Sequence, residues 1–230
     1  MRFYKYLVVA VVIALLAALW IQYHPPIDTS PASVTATPID LSHYENAKLT
    51  DALNCSPDGK GNDLAALPTG RQVMANVPFD ISGIAQVTGL RIQSWGRHEY
   101  PAKITDLSIN KRCRRLFILH GAGGVGDPEG KTIAKLVLHY EDKSTRIIEI
   151  KIGDHVRDWW GDPKEPMLNK GSELGWKGRN AAIRNGAPGQ YLRLYRSTFA
   201  NPKRNLTITT IDYVSTFKAS SSFLVGLTVD

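Results

Sequence analysis

Short stretches in which apolar and polar residues alternate dominate the chain after residue 73. In residues 148–152 three isoleucines alternate strictly with a glutamate and a lysine, which predicts a strand with one face on a core and the other in water. The same alternation recurs at the C-terminus, at Phe223, Val225, Leu227 and Val229. Residues 141–144 are polar and lie between two such stretches, so they predict a hairpin turn.

Eight segments of this kind follow one another, and no long helical period interrupts them. The predicted strands are residues 84–95, 103–110, 114–120, 133–140, 146–152, 190–199, 206–214 and 222–229. This order predicts an all-β domain, an antiparallel two-sheet sandwich of jelly-roll type. Residues 153–189 remain irregular, and a loop of that length is either functional or contains an undetected element.

The first 23 residues have a different pattern. Residues 7–21 are uninterruptedly apolar, and residues 6–23 reach the roughly 17–20 residues that cross a bilayer as a helix. Arg2 and Lys5 precede this stretch and the next basic residue is Lys48, so the positive-inside rule places residues 1–5 in the cytoplasm. We therefore expect a single-pass membrane protein with its signal anchor at residues 6–23 and its domain outside the cytoplasm, in the periplasm of a Gram-negative cell. A cleaved signal peptide is the alternative, but residues 20–25 lack the small-x-small site that cleavage needs.

Residues 24–48 are rich in proline, serine and threonine and predict an extended tether, which leaves residues 49–230 as the extracytoplasmic domain. The chain of 230 residues has a net charge of +7, but its basic residues are scattered and match no nucleic-acid-binding signature. We therefore expect the membrane, and no nucleic acid, as a partner. Cys55 and Cys113 face an oxidising compartment in this topology, which suggests one disulfide; two unpaired thiols are the alternative.

Residues 121–126, Gly-Ala-Gly-Gly-Val-Gly, match the dinucleotide-binding fingerprint and follow a predicted strand. A true fingerprint opens a helix, whereas this segment leads through Asp127 and Pro128 into another predicted strand. The histidines lack metal-site spacing, and no nucleophile motif is present. We therefore predict no cofactor, no metal site and no catalytic residue.

The residues between 153 and 201 offer a different kind of site, since three of the five tryptophans fall within 18 residues of this stretch. Indole rings stack on the apolar face of a sugar, and nearby polar side chains hold its hydroxyl groups. The candidate ligand contacts are Trp159, Trp160, Trp176, Asp158, Arg179 and Asn180. The alternative is that these three tryptophans belong to the core, because indoles are highly buried on average.

Seven motifs from residue 77 onward occur in an order that resembles the galactose-binding-like β-sandwiches of bacterial envelope and polysaccharide-associated proteins. They are residues 77–81, 119–122, 140–142, 153–160, 176–180, 201–202 and 224–228. The resemblance covers about residues 49–230 and implies a jelly roll whose strand-end loops bind glycan. It identifies no catalytic residue and no characterised ligand.

These observations predict a membrane-tethered sandwich that binds carbohydrate or another cell-envelope component without catalysis. A structural or assembly module that docks on an envelope protein is the second hypothesis. The third is an enzyme acting on polysaccharide through Asp154, Asp158 or Asp162, because a glycosidase needs two carboxylates across a cleft.

Overall fold

The computed structural model describes residues 36–55, 58–166, 168, 171–184 and 189–230. The described residues form thirteen strands and two short helices: β1 (Thr37–Ile39), β2 (Gly70–Met74), β3 (Val77–Ile81), β4 (Ala85–Gln86), α1 (Leu90–Ser94), β5 (Lys103–Lys111), β6 (Arg115–Gly123), β7 (Thr132–Tyr140), β8 (Thr145–Lys151), β9 (Trp160–Gly161), β10 (Ser172–Gly178), α2 (Ala181–Arg184), β11 (Tyr191–Ala200), β12 (Ile208–Ser215) and β13 (Ser221–Val229). Within these residues no helix has the length and apolar character needed to cross a membrane. The predicted anchor at residues 6–23 lies outside them.

The strands form two main antiparallel sheets and a separate hairpin. The larger sheet has the order β1-β13-β6-β11-β10, with β4 paired to β13 and β9 paired to β11. The second sheet has the order β5-β12-β7-β8, and β2 pairs with β3. The prediction of an all-β antiparallel fold is therefore confirmed.

The main core lies between the two sheets. Ile118 and Leu227 from the larger sheet belong to the same buried cluster as Leu136, Ile150 and Ile211 from the second sheet. The alternation predicted for residues 148–152 is confirmed, because Ile148, Ile150 and Ile152 are buried and the glutamate between the first two is exposed. The turn predicted at residues 141–144 joins β7 to β8. Apolar burial between the sheets thus holds the sandwich together.

A second core covers the opposite face of the larger sheet. Phe117 and Leu194 of that sheet pack in one cluster with Phe79 of β3 and Leu53 of the preceding loop. As a result every residue of β6 and of β13 is buried. The larger sheet is therefore the middle of three layers.

This middle position corrects the expectation that β13 has a solvent-facing side. A β-bulge interrupts its pairing with β6 between Leu224 and Gly226, and one extra residue in a strand reverses the faces of all that follow. Phe223 and Val225 consequently belong to the second core, whereas Leu227 and Val229 belong to the first.

The described part of the predicted tether belongs to the folded domain, which is a correction to its boundary. Thr37, Pro38 and Ile39 pair with the end of β13, and Ile39 and Leu41 are buried in the first core. The composition of this stretch is typical of a linker. The free edge of β13 nevertheless supplies hydrogen bonds, and the core covers the two apolar side chains.

Two further expectations differ from the structure. The strand predicted over residues 84–95 is a two-residue strand, β4, followed by the helix α1, whose Ile92 is buried. The irregular stretch 153–189 contains β9, β10 and α2, as the alternative of an undetected element anticipated.

The two cysteines are free thiols, so the expected disulfide is corrected to the alternative of two unpaired groups. Cys113 is buried in the first core, where Asn201 Nδ2 donates to its carbonyl oxygen at 2.9 Å. Cys55 lies half-buried in a loop, and its thiol donates to the carbonyl oxygen of Gly59. Burial is the main reason that the pKa of the Cys113 thiol rises to about 11.

Candidate functional site

A cavity of about 420 Å³ opens at the end of the sandwich where β6 ends and β13 begins. This volume lies within the range of about 300–1,000 Å³ that small-molecule sites occupy. Ten of the described residues line it: Asn54, Asn62, Arg91, Trp95, Gly124, Val125, Asp158, Trp159, Trp160 and Gln190. The lining thus combines indole rings with amide, carboxylate and guanidinium groups.

Trp160 holds one indole at the cavity in a fixed orientation. Its backbone pairs with Leu192 in the short strand β9, and its ring is half-buried against the second core. The indole Nε1 donates to Asn62 Oδ1 at 3.0 Å, while Asn62 Nδ2 donates to the carbonyl oxygen of Leu53 at 3.0 Å. Asn62 therefore positions the ring of Trp160.

Trp95 supplies a second half-buried indole from the C-terminal end of α1. Arg91 lies four residues earlier, so both side chains fall on one face of the helix. The exposed Arg91 side chain donates from Nη1 to the carbonyl oxygen of Val125 at 3.0 Å, which fixes it against the loop that follows β6. Neither residue was predicted, because residues 84–95 are predicted as a strand and the candidate contacts all come from residues 153–201.

Asp158 joins two walls of the cavity. Its Oδ1 accepts the backbone N–H of Trp160 at 2.9 Å, and its Oδ2 accepts the backbone N–H of Val125 at 3.2 Å. Burial raises the pKa of this carboxyl group above its ordinary value, while the two backbone N–H groups and the nearby Arg193 oppose that rise. The carboxylate is therefore an enclosed hydrogen-bond acceptor beside the Trp160 indole.

The glycines of residues 121–126 are required by close packing around this cavity. A Cβ on Gly121 would overlap the ring of Phe223, and one on Gly123 would overlap the side chain of Asn54. Gly124 has a φ of +60°, and its missing side chain leaves room for Trp95. The segment runs from β6 into β7, as the sequence predicts. The motif therefore brings the backbone close to its neighbours.

The predicted contacts divide into two groups. Trp160 and Asp158 line the cavity with surrounding polar groups as described above. Trp159 also lines it, but it is 2% exposed and packs edge-to-face on Phe223 in the second core. Its ring therefore matches the alternative of a core tryptophan and is not a platform for a ligand.

The structure does not bring Trp176, Arg179 and Asn180 to the cavity. The Trp176 ring packs against the second core, and Arg179 is exposed. Asn180 is 3% exposed, and its Oδ1 accepts the backbone N–H of Ile183 at 2.8 Å, as an N-cap of α2. The amide of Asn180 thus stabilises the fold.

A serine and a histidine lie in contact elsewhere in the domain. His120 Nε2 is 2.7 Å from Ser197 Oγ, and both residues are 0% exposed. Burial, and then the nearby His155, lower the pKa of His120 to about 3, so the ring is neutral at physiological pH. A substrate has no access to this pair, which we interpret as a buried polar contact. In the described part of the chain no three metal-ligating side chains cluster.

No family model, curated protein or solved structure matches this chain. The arguments about function therefore rest on the geometry of the cavity and on the sequence.

Proposed function

We propose that the domain binds carbohydrate in this cavity without catalysis. The observation that carries the proposal is the pair of half-buried indoles, Trp95 and Trp160, in a cavity that otherwise has a largely polar lining. Sugars need this combination, because their C–H faces stack on aromatic rings and their hydroxyl groups need convergent donors and acceptors. Arg91 supplies donors and Asp158 supplies acceptors.

Binding is favoured over glycoside hydrolysis by the number of carboxylates. Hydrolysis needs two of them about 5–10 Å apart across the scissile bond. Among the described residues that line the cavity, Asp158 is the one carboxylate, and neither Asp154 nor Asp162 reaches it. A site with one enclosed acceptor suits recognition of a ligand.

The wider setting of this proposal is a membrane-anchored protein of the bacterial envelope. The apolar segment 7–21 and the distribution of basic residues around it support the anchor. The resemblance to galactose-binding-like jelly rolls supports glycan as the ligand. A docking module for an envelope protein remains the second candidate.

The proposal is tested with the full-length protein, held in nanodiscs, on an array of bacterial cell-wall and capsule glycans. We expect one glycan class to bind, and we expect Trp160→Ala to weaken that binding about tenfold because a stacking surface is lost. Trp160→Phe keeps a ring but loses the hydrogen bond to Asn62, so its loss is smaller.

Trp176→Ala is the matched control, since this ring also packs on the second core but does not line the cavity. We expect its glycan affinity to equal that of the wild type. An array without signal, or equal losses at Trp160 and Trp176, contradicts the proposal.

A further inference from the structure

The end of the sandwich opposite the cavity is strongly basic. Strand β6 runs from Arg115 at that end to Gly123 at the cavity, and nine residues at about 3.3 Å each separate the two ends by roughly 25–30 Å. We call this surface the basic end. It consists of the connections β5–β6, β7–β8 and β11–β12 with the adjoining strand ends.

Hydrogen bonds join the three connections into one surface. The backbone N–H of Glu141 donates to the carbonyl oxygen of Thr207 at 3.0 Å. The backbone N–H of Asn201 donates to the carbonyl oxygen of Arg114 at 2.8 Å, and Tyr140 OH donates to Asn201 Oδ1 at 2.6 Å. The backbones of the three connections are therefore held next to one another, and the charged side chains project from one surface.

Basic side chains outnumber acidic ones on this surface. Three acidic side chains of the described residues lie there, and each is held by a basic side chain: Glu141 by Arg112, Asp142 by Lys203, and Asp230 by Arg115. Further basic side chains surround these pairs, namely Lys111, Arg114, Lys143, Arg146 and Arg204.

Three of these basic side chains, Lys111, Lys143 and Arg204, are exposed and make no ion pair within the described part of the chain. Their charge is therefore not neutralised by the fold. The basic end has a positive field that an anionic surface would complement.

The chain also enters the folded domain at the basic end. Thr37, the first residue of β1, pairs with Val229 at the end of β13, next to Asp230 and its partner Arg115. The residues before Thr37 include the apolar segment 7–21. Residues 22–36 separate that segment from β1, and even fully extended at about 3.3–3.6 Å per residue they reach only about 50 Å.

We propose that the basic end docks on the anionic phospholipid headgroups of the membrane that holds segment 7–21. A tether of this length keeps the basic end at high effective concentration beside that membrane. Electrostatic attraction to the anionic headgroups then stabilises each lysine or arginine side chain that lies close to the membrane surface. This orientation directs the cavity away from the bilayer, and it is independent of the ligand proposed above.

The test uses the full-length protein reconstituted in unilamellar vesicles of phosphatidylcholine, with or without phosphatidylglycerol. Hydrogen–deuterium exchange is measured by mass spectrometry at residues 141–145 and 201–207. We expect exchange there to slow about tenfold or more with phosphatidylglycerol, and we expect the difference to vanish in about 1 M salt, where the Debye length is ~3 Å.

The variant Lys111→Glu/Lys143→Glu/Arg204→Glu should lose this protection. The matched control, Lys60→Glu/Lys131→Glu/Lys164→Glu, makes the same charge change with exposed lysines near the cavity end and should keep it. Exchange in β6 and β13 reports whether each variant is folded.

Equal exchange in the two kinds of vesicle overturns the proposal, as does lipid-dependent protection at the cavity end. A further measurement adds polyphosphate to phosphatidylcholine vesicles. If polyphosphate slows exchange at the basic end and phosphatidylglycerol does not, the basic end binds a soluble polyanion and the proposal is overturned.

Discussion

Trp159 and Trp160 are neighbours in the chain, but their side chains have different surroundings. Adjacent residues of an extended segment point to opposite sides, so one ring packs on Phe223 while the other lines the cavity. The hydrogen bond to Asn62, a residue 98 positions away, holds the second ring. A tryptophan-rich segment is visible in the sequence, but the orientation of each ring depends on such distant contacts.

His120 provides a prediction about pH at the scale of one residue. The unfolded chain protonates this histidine below about pH 6.5, whereas the native state resists protonation until its pKa of about 3. The free energy of unfolding therefore falls as the pH drops below 6.5, by about 1.4 kcal/mol per pH unit for this residue.

The variant His120→Gln removes this contribution, so its unfolding free energy should depend less steeply on pH between 6 and 4. Urea denaturation at several pH values measures both slopes. His155, whose pKa is lowered to about 4 mainly by burial, contributes similarly in both proteins. Identical slopes in the two proteins would show that residue 120 does not titrate as described.

At the scale of an element, the glycine-rich segment 121–126 also shows that a local pattern does not name the distant residues it contacts. Its spacing matches a nucleotide-binding fingerprint, and the absence of a following helix argued correctly for a connection between strands. The reason for each glycine lies in another element: Phe223 of β13 covers Gly121, and Trp95 packs beside Gly124. A short motif therefore predicts a close approach without naming the partner.

Gly121→Ala should lower the free energy of unfolding by about 3 kcal/mol, because the added methyl group overlaps a buried ring that has no room to move. Gly130→Ala is the matched control, in the connection that follows β6. Its Cβ would meet nothing within 4 Å, so only its φ of +77° costs stability, about 1 kcal/mol. Chemical denaturation compares the two, and equal losses would refute the packing argument.

Hydrophobic periodicity predicted most of the strands, since seven of the eight predicted segments overlap an observed strand along most of their length. It failed over residues 84–95, where the helix α1 is only five residues long and shows little more than one turn of pattern. That failure also hid Trp95 and Arg91, and with them one wall of the cavity.

At the scale of the whole molecule, the larger sheet is buried on both faces and β1 closes one of its edges. Ile39 and Leu41 contribute to the first core although they lie in a stretch with the composition of a linker. Where the folded unit begins is therefore decided by pairing with β13, about 190 residues away along the chain, where Thr37 pairs with Val229.

A chain truncated to residues 36–230 should accordingly be more stable than one truncated to residues 49–230. Removing residues 36–48 takes Ile39 of β1 and the nearby Leu41 out of the core, and each such loss costs about 2–5 kcal/mol. Thermal and urea unfolding of the two proteins measure the difference. Equal stability would mean that residues 37–48 are a tether after all.

The amino-acid sequence by itself determined the all-β class and most of the strands, because alternation of apolar and polar residues is a local property of a half-buried strand. Tertiary structure alone decided which tryptophan reaches the cavity, that Cys55 and Cys113 stay apart as free thiols, and which residues form the basic end. These outcomes depend on contacts between distant segments. The free energy of such contacts comes from burial and hydrogen bonding in the assembled fold, which a local pattern does not encode.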